Sequence, residues 1–131
     1  MNLMMRSVLA ILVACLAITA VGCEQGPQRF NVSGTVTYNE QPLPAGVLYF
    51  DPDVSKQNDG PQGYAFIKDG RFDTAETNSG PVGGPHLARI EGFDGKPGEE
   101  LPMGRLLFAD FSQAVDLPRE DTTLNFAVPA K

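Results

Sequence analysis

The chain has 131 residues, a net charge of −6, two cysteines and one histidine. Its length suits a single domain with one hydrophobic core. The excess of acidic residues argues against nucleic-acid binding, because a nucleic-acid-binding face presents lysine and arginine to phosphates. The single histidine excludes zinc sites that need two histidines, and no cofactor is expected.

Residues 1–22 have the composition of an export signal. Arg6 gives the segment a positive start, and Ser7–Val21 is almost wholly apolar. This run is too short for a comfortable membrane-spanning helix, which needs about 20 apolar residues. The polarity changes immediately after Gly22 and Cys23, where a polar stretch begins. The pattern predicts a cleaved signal peptide that ends at a small residue.

The stretch Ala20–Cys23 resembles the lipobox of bacterial lipoproteins, in which a processed cysteine carries the lipid anchor. The stretch Leu12–Cys15 matches the four-residue pattern better, so Cys15 remains an alternative processing site. Cys23 is preferred because cleavage before Cys15 would leave the apolar residues 16–21 on the mature protein. An ordinary secretory signal is a further alternative. The resemblance implies a lipid-anchored membrane protein of the cell envelope, facing the periplasm or the cell surface, held through Cys23.

Two further segments follow the predicted signal. Residues 23–29 form a lipid-anchored polar tether, and residues 30–131 form the folded domain. Removal of the signal takes away Arg6 and no acidic residue, so the net charge of −6 becomes −7. We therefore expect attachment to the membrane through lipid rather than through charge. With Cys23 lipidated and Cys15 removed, the mature domain has no free thiol and no disulfide.

The mature chain predicts strands and no convincing helix. Phe30–Tyr38 alternates apolar and polar residues with the period of a half-buried strand. Asp69-Gly70 is typical of a two-residue type I′ turn, and Phe66 and Phe72 are expected to face the core from its two arms. Further strands are predicted at 47–50, 64–68, 71–74, 86–93, 106–111 and 124–128. Glycines and prolines separate them, which favours an all-β, seven-stranded Ig-like sandwich.

The segment Val32–Phe50 resembles the opening of the carboxypeptidase regulatory-like, or transthyretin-like (prealbumin-like), β-sandwich family. Its V-x-G-x-V start, its proline-containing turn and its terminal phenylalanine carry the resemblance. Ala65–Phe72 is similar to the family's D-G-x-F hairpin, and Gly80–Ile90 is similar to a later strand. The resemblance covers most of residues 30–93 and implies a sandwich domain. Together with the signal, it resembles small bacterial lipoproteins of unknown function. The family is a structural class, so it implies no activity.

Few residues form a pattern typical of a metal-binding or catalytic site. Asp51, Asp53 and Asp59 begin like a calcium loop, but Lys56 and Gln62 stand where that loop needs glycine and glutamate. They are weak calcium candidates, and a solvated acidic loop is favoured. His86 is expected to be a surface or strand-edge histidine. Ser79 and Ser112 are its only conceivable catalytic partners.

Three functions remain open at the level of the sequence. The first is a non-catalytic, lipid-anchored binding or structural module of unknown ligand, with an envelope protein or a polysaccharide as its partner. The second is a subunit of an envelope complex that docks through a sheet edge. The third is a minimal hydrolase that uses His86. Exposed aromatic residues would favour the first two functions.

Overall fold

The computed structural model describes residues 26–131, together with the isolated positions Leu3 and Gly22. The predicted processing site at Cys23, its alternative at Cys15 and nearly all of the predicted signal lie outside the described residues.

The described domain is all-β, as the sequence predicts. One 3₁₀ turn, Val54–Lys56, interrupts the strands. No helix among residues 26–131 and the two isolated positions has the length and apolarity that crossing a membrane requires. The eight strands are β1 (Val32–Tyr38), β2 (Gln41–Pro42), β3 (Ala45–Pro52), β4 (Gly63–Lys68), β5 (Arg71–Asp73), β6 (Gly84–Phe93), β7 (Leu106–Leu117) and β8 (Thr122–Val128).

The strands form one curled and largely antiparallel sheet. Its order runs β1, β5, β4, β3, β6 and β7, with the short β2 also paired to β1. β8 pairs with β1 in parallel along the whole of both strands. The sheet curls far enough for Tyr38 on β1 to stack on Phe108 on β7, with ring centroids 5.0 Å apart. Lys131, just after β8, forms an ion pair with Asp110 on β7.

The core lies inside the curl and is built from one face of each main strand. Phe50, Phe72 and Phe126 come from three strands, and their ring centroids lie 6.1 to 6.5 Å apart. Alternate positions of the same strands point outward. Most apolar burial is therefore on one sheet face, which is the pattern that a period of two in the sequence produces. Val47 is an exception, because it is buried on the outer face level with Phe66.

The hairpin turn has the predicted conformation, but the prediction for Phe66 is wrong. Asp69 and Gly70 have φ values of 50° and 76°, as a type I′ turn requires. Lys68 pairs with Arg71 across the turn, so Ile67 rather than Phe66 lies level with Phe72. Phe72 is 4% exposed and Phe66 is 51% exposed. Side chains alternate along a strand, and Phe66 therefore points outward.

The largest departures from the predicted strands are in β7 and β2. β7 continues to Leu117, although residues 112–117 contain several polar side chains that read as a loop. Most of β7 is exposed, and among the described strands it pairs with β6 alone. An exposed edge strand does not need the apolar alternation that identifies buried strands. β2 has only two residues and lies inside the predicted turn segment.

Candidate functional site

A groove lies on the outer face of four neighbouring strands of the described domain. It has a volume of about 790 Å³ and crosses β8, β1, β5 and β4. Outward-facing side chains from each of these strands line it. We call this surface the outer groove.

One side of the outer groove is built from hydroxyl and amide groups. Ser33 and Thr35 come from β1, and Thr123 and Asn125 come from β8. The Thr35 backbone N–H and hydroxyl both donate to Asn125 Oδ1, at 3.1 and 2.8 Å. Both bonds use the oxygen of the Asn125 amide. The Nδ2 group has no hydrogen-bond partner within the described residues and is available as a donor.

Gly34 makes this side of the outer groove possible. A Cβ at residue 34 would lie 1.6 Å from the carbonyl oxygen of Leu124. Only glycine allows β1 and β8 to approach so closely. The resulting parallel register places Thr35 level with Asn125. Gly34, inside β1, therefore positions the hydrogen-bonded pair of Thr35 and Asn125 on the outer face.

The other side of the outer groove combines an aromatic ring with charges of both signs. Phe66 and Lys68 come from β4, and Arg71 and Asp73 come from β5. No side-chain ion pair or hydrogen bond engages Lys68 or Arg71 within residues 26–131. Asp73 Oδ1 accepts from the Ala75 N–H at 2.9 Å. The groove thus presents unpaired cations beside a carboxylate and a half-exposed ring.

A row of aromatic and charged side chains continues from Phe66 across β4, β3 and β6. Tyr64 meets the Phe66 ring edge-on, with centroids 5.9 Å apart, and lies level with Tyr49 on β3. The Arg89 guanidinium lies 4.8 Å from the centroid of the Tyr49 ring and forms an ion pair with Asp51. The outer face therefore carries three neighbouring aromatic rings that core packing does not require.

The Asp51 carboxylate is held by two donors. Arg89 and Gln62 both donate hydrogen bonds to it. Partial burial raises the pKa of Asp51, but these two hydrogen bonds outweigh it and leave the pKa below its usual value. The same contact with Asp51 raises the pKa of Arg89.

The calcium candidates do not converge on one site. Asp51 is engaged by Arg89, and Asp53 accepts from the backbone and hydroxyl groups of Ser55 to cap the 3₁₀ turn. Asp59 lies on a separate surface hollow near Arg119. No group of three or more histidine, cysteine, aspartate or glutamate side chains within the described part of the chain is arranged to hold a metal ion.

His86 is buried, so the prediction of a surface or edge histidine is wrong. It is 1% exposed, because its position on β6 shares the inward face with Ala88 and Ile90. Its Nδ1 lies 2.8 Å from the Gly84 carbonyl oxygen, a geometry in which Nδ1–H donates. Nε2 is buried and has no partner among the described residues.

Neither candidate serine contacts His86. Ser79 donates its hydroxyl to the Thr77 carbonyl. Ser112 lies level with Arg89, which faces outward from β6, whereas His86 faces inward. The described residues therefore contain no hydrogen-bonded serine–histidine pair.

The outer groove was missed by sequence reasoning for one main reason. The sequence analysis predicts an inward Phe66, although the two-residue turn and an inward Phe72 together require Phe66 to face outward. Pairing residues across the Asp69-Gly70 turn predicts this outward position of Phe66. The polar partners from β8 carried no such signal, because the parallel pairing of β8 with β1 joins the two ends of the domain.

No family model matches the chain, and no curated protein is significantly similar to it. Function is therefore inferred from the residues and geometry of the chain itself.

Proposed function

We propose that this protein is a lipid-anchored, non-catalytic binding module of the cell envelope whose binding surface is the outer groove. The observation that carries the proposal is Phe66, a large aromatic side chain that is 51% exposed and lines the β4 side of the outer groove. Large exposed aromatic side chains in concave surfaces are typical of binding sites.

The anchoring part of the proposal comes from the sequence. A positive start, an apolar run and Gly22-Cys23 at the change in polarity support processing at Cys23 and localisation at the envelope membrane. Stable attachment needs about two lipid chains, since one chain gives only marginal binding.

We also propose that the domain is a transthyretin-like sandwich of the carboxypeptidase regulatory-like kind. The motifs of residues 30–93 support this assignment, and the curled all-β sheet is compatible with it. In this proposal the curl brings the β7 and β8 ends of the sheet together around one core.

A second candidate function is docking through the β7 edge. β7 is 12 residues long, pairs with β6 alone among the described strands, and carries Leu106 at 57% and Leu107 at 39% exposure. A long edge strand offers unpaired backbone groups to a partner strand. A hydrolase that uses His86 is the least favoured alternative, because substrate would have to reach a buried ring.

Crosslinking and capture from envelope fractions tests the proposal. We expect the intact chain to capture a partner and the Phe66→Ala variant to lose most of that capture. Val54→Ala is the matched control, because Val54 is 73% exposed and does not line the outer groove. Equal capture by the wild type and Phe66→Ala would remove the outer groove from the proposal. Loss of capture on disruption of β7 alone would favour the edge-docking function.

A further inference from the structure

From the chemistry of the outer groove, we infer that its ligand is a neutral oligosaccharide segment of an envelope polysaccharide. This inference rests on the proposed function and specifies its ligand class. It combines three features of the groove: an exposed ring, a mixture of unpaired donors and acceptors, and the absence of a dominant charge.

Phe66 provides an apolar surface for one sugar ring. A pyranose has an apolar C–H face, and stacking that face on an aromatic ring removes apolar area of both partners from water. The Phe66 side chain needs no movement for this, because half of it is already exposed. The Tyr64 ring, in edge-on contact with Phe66, limits the orientations that Phe66 can adopt.

The polar side chains of the outer groove offer the hydrogen-bond donors and acceptors that sugar hydroxyls require. Each hydroxyl can donate one hydrogen bond and accept others, so a sugar chain needs donors and acceptors side by side. Arg71, Lys68 and Asn125 Nδ2 are donors without side-chain partners among the described residues, and Asp73 keeps one carboxylate oxygen unused. Charged partners strengthen hydrogen bonds to neutral hydroxyls.

The charges of the outer groove argue against a polyanion. Two cations, Lys68 and Arg71, lie among three carboxylates of Asp69, Asp73 and Glu76. The chain as a whole carries a net charge of −6. An acidic polymer would therefore be repelled by the molecule and would find no net positive charge in the groove.

The composition of the outer groove also disfavours a protein partner. The centre of a protein–protein interface is typically depleted of charged residues and packed with apolar side chains. Here charged and hydroxyl side chains make up most of the lining, and Phe66 is its one exposed aromatic ring. A narrow, neutral and polyhydroxylated chain fits this distribution better than a broad apolar surface.

The inference is tested by affinity gel electrophoresis of the full chain in detergent. The probes are a dextran, a β-1,3-glucan and a galactomannan, with polygalacturonate as the acidic comparison. We expect at least one neutral polysaccharide to retard the protein and polygalacturonate to leave its mobility unchanged. Phe66→Ala should weaken binding about tenfold or more, and Phe66→Tyr should retain it because the ring is kept. Val54→Ala should bind like the wild type.

Three results would overturn the inference. The first is that no neutral polysaccharide retards the protein. The second is that polygalacturonate retards it more strongly than the neutral polysaccharides do. The third is that Phe66→Ala binds as tightly as the wild type while its thermal unfolding transition is unchanged. The capture experiment separates this failure from failure of the proposed function. If Phe66-dependent capture yields a protein while no neutral polysaccharide binds, the binding module stands and the sugar assignment is wrong. If neither experiment shows Phe66-dependent binding, both proposals are wrong.

Discussion

Phe66 and Phe72 lie on the two arms of one hairpin, yet they occupy opposite environments. Phe72 packs against Phe50 and Phe126 and is 4% exposed, whereas Phe66 is 51% exposed and lines the outer groove. Composition and propensity do not distinguish two phenylalanines in adjacent strands. The face on which each ring lies depends on its distance from the Asp69-Gly70 turn. Phe66 lies an odd number of residues before Asp69, and Phe72 lies an even number after Gly70, so the two rings point to opposite faces.

Replacement of these two rings should have very different costs. Phe72→Ala removes a buried ring and should lower the free energy of unfolding by about 3–5 kcal/mol. Phe66→Ala should change it by no more than about 1 kcal/mol, because its exposed position leaves no closed cavity. Urea unfolding followed by circular dichroism measures both values. Similar losses for the two variants would contradict the inward and outward assignments.

The ion pair between Asp51 and Arg89 should make a small, pH-dependent contribution to stability. The pKa of Asp51 is lowered in the folded state by Arg89 and Gln62, so its stabilisation is present above the unfolded-state pKa of about 3.9. It is lost as the pH falls through the lower folded-state pKa. Since the Arg89 side chain is 42% exposed, the contribution should be no more than about 1 kcal/mol.

A double-mutant cycle with Asp51→Asn and Arg89→Gln measures this contribution. We expect a favourable coupling energy at pH 7 that shrinks as the pH approaches 3. A coupling energy that stays constant over this range, or one that grows in acid, would contradict the assignment of the ion pair.

At the scale of elements, the β4–β5 hairpin shows what a sequence can and cannot predict. The Asp-Gly dipeptide predicts the turn because few other pairs adopt two positive φ angles at low cost. Strand positions follow from alternation where one face is buried. Residues 112–117 of β7 and the pairing of β8 with β1 are not predictable in the same way. An exposed edge strand lacks the alternating pattern, and a parallel pairing depends on distant residues.

Gly70→Val should destabilise the fold by about 1–3 kcal/mol, measured by thermal or urea unfolding. Gly70 has a φ of 76°, which a β-branched residue adopts only with strain. An added Cβ would also lie 2.7 Å from the Cβ of Pro42. Gly98→Val is the matched control, since nothing lies within 4 Å of its Cβ position. Equal effects of the two substitutions would contradict the strain argument.

In the whole molecule, the proposed function combines a membrane anchor with a binding surface. The sequence predicts the anchor at Cys23, which lies outside the described residues. The structure supplies the outer groove, which lies on the side of the sheet opposite the core. In this proposal the polar stretch that begins at Cys23 would separate the domain from the membrane surface. Arg29, at its end, already contacts the domain by donating a hydrogen bond to the Gly80 carbonyl.

Mass spectrometry of the envelope fraction tests the anchor. We expect a mature chain that begins at Cys23 and carries the mass of its lipid chains. Cys23→Ser should release the protein from the membrane fraction, and Cys15→Ser should leave its retention unchanged. A mature chain that begins elsewhere, or membrane retention of Cys23→Ser, would contradict the prediction.

Photo-crosslinking in intact cells tests the central claim, that the outer groove is the binding face of an envelope module. A benzophenone side chain is placed at position 66 and, in a matched protein, at position 54. The account predicts an ultraviolet-dependent adduct at position 66 that is absent at position 54. No adduct at position 66, or the same adducts at both positions, would contradict it.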